Sequence, residues 1–343
     1  MSRHAPAGAL QHNIPRFIFL PRCRIIRSIM KTQTIGRSSL VSSRLAYGCM
    51  RYAGSWNPAE VTPDKQAHGR RCIFTAYDAG YTFFDNADVY CSGMCETIFG
   101  QALAEKPAMR DKILIATKCG IRFPGAPEPT SPHRYDFSAE HILRSAERSL
   151  KRLNTDVIDI YQLHRPDLLM NPPEIAEAFD KLKKSGKVRE FGVSNFLPSF
   201  LAALQAHCPM PMVVNQVEVH LARLDCFYDG TLDQCLEKTI TPLSWSPIGG
   251  GRLGAGKQVD PKDPRREEMT KLLATMDEVA GRYGVSRTVI ACAFLMKHPT
   301  RILPIVGSSN PDHIRDAVKA DEIEMTREDW YRLLVAARGQ GLP

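Results

Sequence analysis

From residue 33 onward the chain repeats one pattern, a short apolar run followed by a longer stretch with apolar residues at helical spacing. The first two runs, 33–35 and 40–42, flank Gly36-Arg37 and predict a hairpin with a glycine turn. The run 45–50 predicts a small strand. Positions 62–79 then read as a helix, with Thr62 as N-cap, Pro63 as its first residue and Gly80 as its stop. Tyr81-Thr82-Phe83-Phe84 opens a run of aromatic and β-capable residues that predicts a buried strand over 81–87. A helix over 95–106 and a strand over 112–118 follow. A loop rich in proline (Pro124, Pro127, Pro129, Pro132) leads to Ser138-Ala139-Glu140-His141, a capping-type start for a helix ending near Leu153. Strand and helix then alternate at 157–163 and 173–185, 188–193 and 198–207, and 212–218 and 230–238. Strand 240–246 precedes a helical stretch over 266–297 that Gly281 and Gly284 divide in two. The last strand is 302–306, and helices over 311–319 and 326–338 close the chain.

Eight strand–helix units without a long linker imply parallel strands, either in a doubly wound sheet or in a closed barrel. Two features favour an α/β (β/α)8 TIM barrel with a short N-terminal hairpin and extra C-terminal helices. The count is eight, and polar residues fall at the end of nearly every strand rather than at one switch point. No Gly-x-Gly-x-x-Gly turn follows the first strand. Barrels of this kind fill 343 residues as one unit, so 30–343 is expected to be a single barrel domain.

Charge changes this picture only at the N-terminus. The net charge of +8 arises from nine basic residues that precede the first acid, Glu60, which leaves the rest of the chain near neutral. A nucleic-acid-binding face is therefore not expected. Residues 1–29 are basic, free of acid, interrupted by Pro6, Pro15 and Pro21, and followed by Met30. They read either as a targeting segment or as an extension upstream of a start at Met30, and are expected to be poorly ordered. The ten cysteines form no Cys-x-x-Cys pair and no zinc-type cluster, which suits reduced thiols in the cytoplasm. No apolar run reaches membrane-spanning length, and no membrane partner is expected.

Candidate chemistry sits at consecutive strand ends: Asp85 and Tyr90, then Lys118, then His164. Each has an ordinary explanation, respectively a turn cap, a packed ring, a solvated charge and a histidine held beside Pro166. A barrel would converge all four on one mouth. There an ammonium would favour the phenolate and lower the tyrosine pKa, Asp85 would hold the ammonium, and His164 would donate to a substrate oxygen. A poised acid beside an oxyanion site is what carbonyl reduction requires.

Asp85-Asn86-Ala87-Asp88-Val89-Tyr90, Ala116-Thr117-Lys118-Cys119-Gly120 and Gln162-Leu163-His164-Arg165-Pro166-Asp167 together resemble the aldo-keto reductase family. Gly192-Val193-Ser194-Asn195-Phe196, Asn215-Gln216-Val217-Glu218, Trp245-Ser246-Pro247 and Gly307-Ser308-Ser309 extend the likeness over about residues 34–330. The resemblance implies that Tyr90 is the general acid, Lys118 its activator, Asp85 the partner of Lys118 and His164 the substrate-orienting donor. It also implies a nicotinamide cradle of Ser194, Asn195 and Gln216, with Trp245, Ser246 and Pro247 beside the ring. Gly250 in the run 249–251 would let the backbone approach a pyrophosphate, with Arg252 as counter-charge. Ser308 and Ser309 would lead phosphate to backbone N–H groups near Pro311. Relatives often hold a 2′-phosphate with a lysine and an arginine where this chain has Gly307 and His313, with Arg315 two residues on. NADP(H) is the expected cofactor, with NAD(H) the alternative. The expected partner is a small carbonyl compound, with no metal, and the chain is expected to be a monomer or weak oligomer. Two rival readings remain: a cofactor-sensing regulatory subunit with little turnover, and a metal-dependent barrel hydrolase or epimerase.

Overall fold

The computed structural model describes residues 1–2 and 30–343; the expectations for the basic N-terminal segment lie outside the described residues. The chain opens with the antiparallel hairpin β1 (Thr32–Thr34) and β2 (Val41–Ser43). At its turn Gly36 has φ +53°, and a Cβ there would lie 2.4 Å from the Val213 carbonyl oxygen. Only glycine lets the turn lie this close to a barrel strand. Ile35 and Leu40 pack with the inward residues of the barrel and close its amino end.

The barrel strands are β3 (Ala46–Gly48), β4 (Phe83–Asp85), β5 (Leu114–Cys119), β8 (Ile158–Leu163), β9 (Val188–Ser194), β10 (Met212–Glu218), β11 (Thr241–Trp245) and β12 (Leu303–Val306). They pair in parallel, and β12 closes onto β3. A two-stranded insert, β6 (Ile121–Arg122) with β7 (Arg134–Tyr135), rises from the loop after β5. The helices are α1 (Pro63–Asp78), α2 (Met94–Glu105), α3 (Ala139–Leu153), α4 (Pro172–Lys184), α5 (Pro198–Gln205), α6 (Thr231–Lys238), α7 (Arg266–Tyr283), α8 (Arg287–Met296), α9 (Pro311–Ala317) and α10 (Arg327–Arg338). Caps set their starts as expected: Thr62 Oγ1 accepts from Lys65 N, and Ser138 Oγ accepts from His141 N. Each such cap contributes about 1 kcal/mol. Several boundaries shift: the strand expected over 81–87 is only Phe83–Asp85, and the helices expected over 198–207 and 311–319 end at Gln205 and Ala317. Helix α7 runs through Gly281 and ends only at Gly284, which takes φ +64° as a left-handed cap. An interior glycine costs about 1 kcal/mol, which the buried face of α7 offsets.

Alternation along the strands places the chemistry. Inward positions are apolar low in the barrel and polar at its carboxyl end, so Phe83 leads to Asp85 and Ala116 to Lys118. In the same way Ile160 leads to Gln162, and Val214 to Gln216. The outward positions, such as Phe84 against Phe99, pack beneath the helices. A period of two therefore converts a buried strand into a polar ring at one mouth. Among the described residues no helix is long and apolar enough to cross a membrane.

Candidate active site

Strand β4 ends at Asp85, and the chain stays zipped to β5 beyond it. Asn86 N donates to Ala116 O at 2.8 Å and Asp88 N to Lys118 O at 3.1 Å. The next turn carries Tyr90 inward, and Cys91 and Ser92 follow with φ +47° and +51°. Left-handed non-glycine residues cost on the order of 1–3 kcal/mol each and cluster at functional sites. Here they turn the chain straight back into α2.

Lys118 is fully buried. Its Nζ donates to Asp85 Oδ2 at 2.8 Å, to the Asn86 carbonyl at 2.7 Å and to Tyr90 Oη at 3.2 Å. All three ammonium donors are thus used, and Asp85 Oδ1 lies a further 2.8 Å contact away. Gln216 Nε2 donates to Asp85 Oδ2 at 3.1 Å. The Tyr90 ring meets His164 edge-on at 5.9 Å and Trp56 at 6.4 Å. The four strand-end residues converge as the sequence suggested.

Their electrostatics correct one expectation. Burial pushes the Tyr90 phenol up to about 12; Lys118 pulls the other way, and Asp85 adds to the rise. The ammonium acts with the expected sign, but burial outweighs it. Burial would lower the Lys118 ammonium, yet Asp85 and then Tyr90 overcome this and hold it above its usual value. Burial, then Lys118 and Arg165, push the His164 imidazole well below its usual range. Near neutral pH the site therefore holds a protonated phenol, an ammonium and an uncharged imidazole.

Tyr90 and His164 border a cavity of about 850 Å³. Asp85, Ser194, Asn195, Gln216, Trp245, Ser246, Pro247, Gly250, Gly307, Ser308 and His313 also line it. Asn195 takes φ +62° and ties the wall together. Its Nδ2 donates to Ser194 Oγ at 2.7 Å, and its Oδ1 accepts from Trp245 Nε1 at 2.9 Å. Gln216 Oε1 is buried without a partner. An unsatisfied acceptor beside these amides is what a nicotinamide carboxamide N–H would fill. Gly250 and Gly251 have φ +68° and +105°, with open space where a Cβ would stand. The residues present fit a nicotinamide dinucleotide.

Other expected positions fall elsewhere. Arg252 is not among the lining residues and donates to the Gly249 carbonyl of its own turn at 3.3 Å. Ser309 is also absent from the lining; its carbonyl lies 2.9 Å from His68 Nε2. Two of the amides at the start of α9 are taken up by local caps. Asn310 N donates to Ser308 Oγ at 3.1 Å, and Asp312 N to Asn310 Oδ1 at 2.9 Å. Arg315 pairs with Asp312 at the surface.

The cavity also has walls that sequence reasoning missed. Gly48, Cys49, Met50 and Arg51 lie at the end of β3, followed by Trp56. The strand-end logic used for Asp85 would have found the first of these. Gly48 is required by packing, since a Cβ there would stand 2.8 Å from Ile305 Cγ2. The β6–β7 insert adds Phe123, His133 and Tyr135, and Arg165 follows His164. Among the described residues no group of three or more His, Cys, Asp or Glu side chains is placed to hold a metal.

A model of the aldo/keto reductase family matches residues 44–335, and the chain belongs to that family of oxidoreductases. It is 40% identical over 315 residues to a 6-dehydroglucose reductase of Novosphingobium aromaticivorans, covering 90% of this chain and 96% of that one. A 6-dehydroglucose reductase of Agrobacterium fabrum is 36% identical over 299 residues, covering 87% and 95%. Among solved structures, the glycerol dehydrogenase AKR11B4 of Gluconobacter oxydans matches with a TM-score of 0.78 at 25% identity. That match covers 91% of this chain and 97% of the other.

Proposed function

We propose that this chain is a cytoplasmic NADP(H)-dependent reductase that converts aldehydes or ketones to alcohols. The observation that carries the reading is the Tyr90 hydroxyl held 3.2 Å from a buried ammonium at the edge of a cavity shared with His164 and Gln216. Tyr90 keeps its proton until about pH 12, so the phenol is present as a donor throughout the physiological range. Lys118 fixes Oη and stabilises the phenolate left when the proton moves to the carbonyl oxygen. His164, uncharged, keeps an N–H to donate to the same oxygen. Ser194, Asn195 and Gln216 would hold the carboxamide of the cofactor, and Trp245 would lie against its ring. When bound, NADP(H) supplies the hydride.

NADP(H) rather than NAD(H) is supported by Lys257 and His313, which line the same cavity as Ser308. The relatives named for 6-dehydroglucose make carbohydrate-sized carbonyl compounds the first to test. The experiment is loss of NADPH absorbance with purified protein across a panel of aldehydes and ketones. Turnover with at least one class is expected, and silence across the panel despite NADPH binding would overturn the reading. Comparing dissociation constants for NADPH and NADH tests the cofactor choice, which a clear preference for NADH would reverse.

A further inference from the structure

The cavity wall carries positive charge that the protein leaves unpaired. Two carboxylates border the cavity, and both are engaged. Asp85 is held by Lys118 and Gln216, while Asp316 takes Lys319 at 2.8 Å and Ser286 Oγ at 2.6 Å. Arg51 and Arg165 line the same cavity, and among the described residues neither guanidinium has an ion pair or hydrogen bond. Arg51 sits on the loop that carries Trp56, whose ring meets that of Tyr90 edge-on. Arg165 directly follows His164, whose ring also meets that of Tyr90 edge-on. The Arg165 guanidinium lies over the Trp245 ring at 5.4 Å, which gives its planar fork a support without using its donors.

Arg51 is exposed and Arg165 half-buried; guanidinium groups left without partners on a cavity wall raise the local concentration of anions and match carboxylate or phosphate oxygens in a bidentate manner. We infer that Arg51 and Arg165 form an anion subsite, so that the preferred substrate is a carbonyl compound bearing a carboxylate or phosphate. The inference rests on the carbonyl-reductase reading and narrows its substrate class. The anionic group would dock on the arginines while the carbonyl faces Tyr90 and His164. Arg165 would act on the substrate directly, apart from its influence on the neighbouring imidazole.

The test compares matched substrates with the NADPH-loaded protein: succinic semialdehyde against butanal, and glyceraldehyde 3-phosphate against glyceraldehyde. The charged member of at least one pair is expected to show about tenfold or greater kcat/KM, mainly through KM. The pair that responds says whether carboxylate or phosphate is the group recognised. In Arg51→Gln and Arg165→Gln the charged-to-neutral ratio should fall toward one, and added salt should lower it in the unaltered protein. Equal or better use of both neutral members, with ratios unmoved by either substitution, overturns the subsite while leaving the reductase reading standing. If no carbonyl compound turns over, the reductase reading fails, and calorimetry still decides the subsite. Succinate and inorganic phosphate are titrated into protein saturated with NADP+. Binding of either, lost in both arginine variants, supports the subsite, and binding of neither overturns it.

Discussion

The two halves of the barrel mouth differ in how completely they are closed before any ligand arrives. On the side of β4, β5 and β8 the Lys118 ammonium has spent all its donors, and the Tyr90 ring meets two others edge-on. On the side of β10 to β12 the wall is open: Gln216 Oε1 is unpaired, and the turn at Gly250 and Gly251 faces empty space. The first half is preorganised to move a proton, which costs nothing further at the moment of reaction. The second half is shaped to receive something it does not itself contain. Gln216 joins the two, since its Nε2 holds Asp85 while its Oε1 waits. Binding on the open side is thereby linked to the anchor of the closed side.

Breaking the closed half should have the largest effect. In Lys118→Met the Asp85 carboxylate is stranded in a buried site, which costs roughly 3–5 kcal/mol of stability. Carbonyl reduction should fall by about 10²–10⁴-fold, the usual range for a disabled proton donor. Adding Asp85→Asn to that variant separates the two effects. Thermal unfolding should recover much of the lost stability, while single-turnover reduction stays slow. Recovery of rate together with stability would show that the pair serves only to hold the fold.

The open half should respond more mildly. Gln216→Leu removes one buried amide and is expected to weaken NADPH binding by about 3- to 10-fold, the worth of one hydrogen bond. Fluorescence titration measures it. An unchanged dissociation constant would mean that Gln216 serves Asp85 alone.

A separate effect, read in stability rather than in rate, lies just behind the site. Asp88 Oδ1 is buried without a partner, and burial, reinforced by Glu96 and partly offset by Arg152, raises this carboxyl to about 8. The folded protein thus keeps this proton until about pH 8, whereas the unfolded chain releases it near pH 4. Between those limits the folded state binds more protons, so the contribution of Asp88 to stability is lost as pH rises and levels off above about 8. Urea midpoints measured from pH 5 to 8 should therefore decline more steeply in the unaltered protein than in Asp88→Asn. Identical slopes would contradict the assignment.

What the sequence disclosed about these halves follows from their physics. Period-two strands that turn polar at one end are visible in a string of letters, so Asp85, Lys118, His164 and Gln216 could be assembled from it. Caps at Thr62 and Ser138 were equally visible, because they depend on local spacing. The β6–β7 insert was not, since two-residue strands set among prolines carry no periodicity. Arg252 shows the same limit for a side chain: the glycine run was legible, but the side chain turns to the Gly249 carbonyl of its own turn. The pKa of Tyr90 was misjudged because an adjacent ammonium can be inferred from a motif, whereas the depth of burial that outweighs it is a property of the packed barrel.

The central claim is that the Tyr90 phenol, held by Lys118, delivers the proton that completes carbonyl reduction. Tyr90→Phe keeps the ring contacts with Trp56 and His164 and deletes only the hydroxyl. Single-turnover reduction with saturating NADPH should slow by about 10²–10⁴-fold, with the NADPH dissociation constant changed less than about twofold because the cofactor wall does not use that hydroxyl. Reduction at the unaltered rate, with cofactor still bound, would contradict the claim outright.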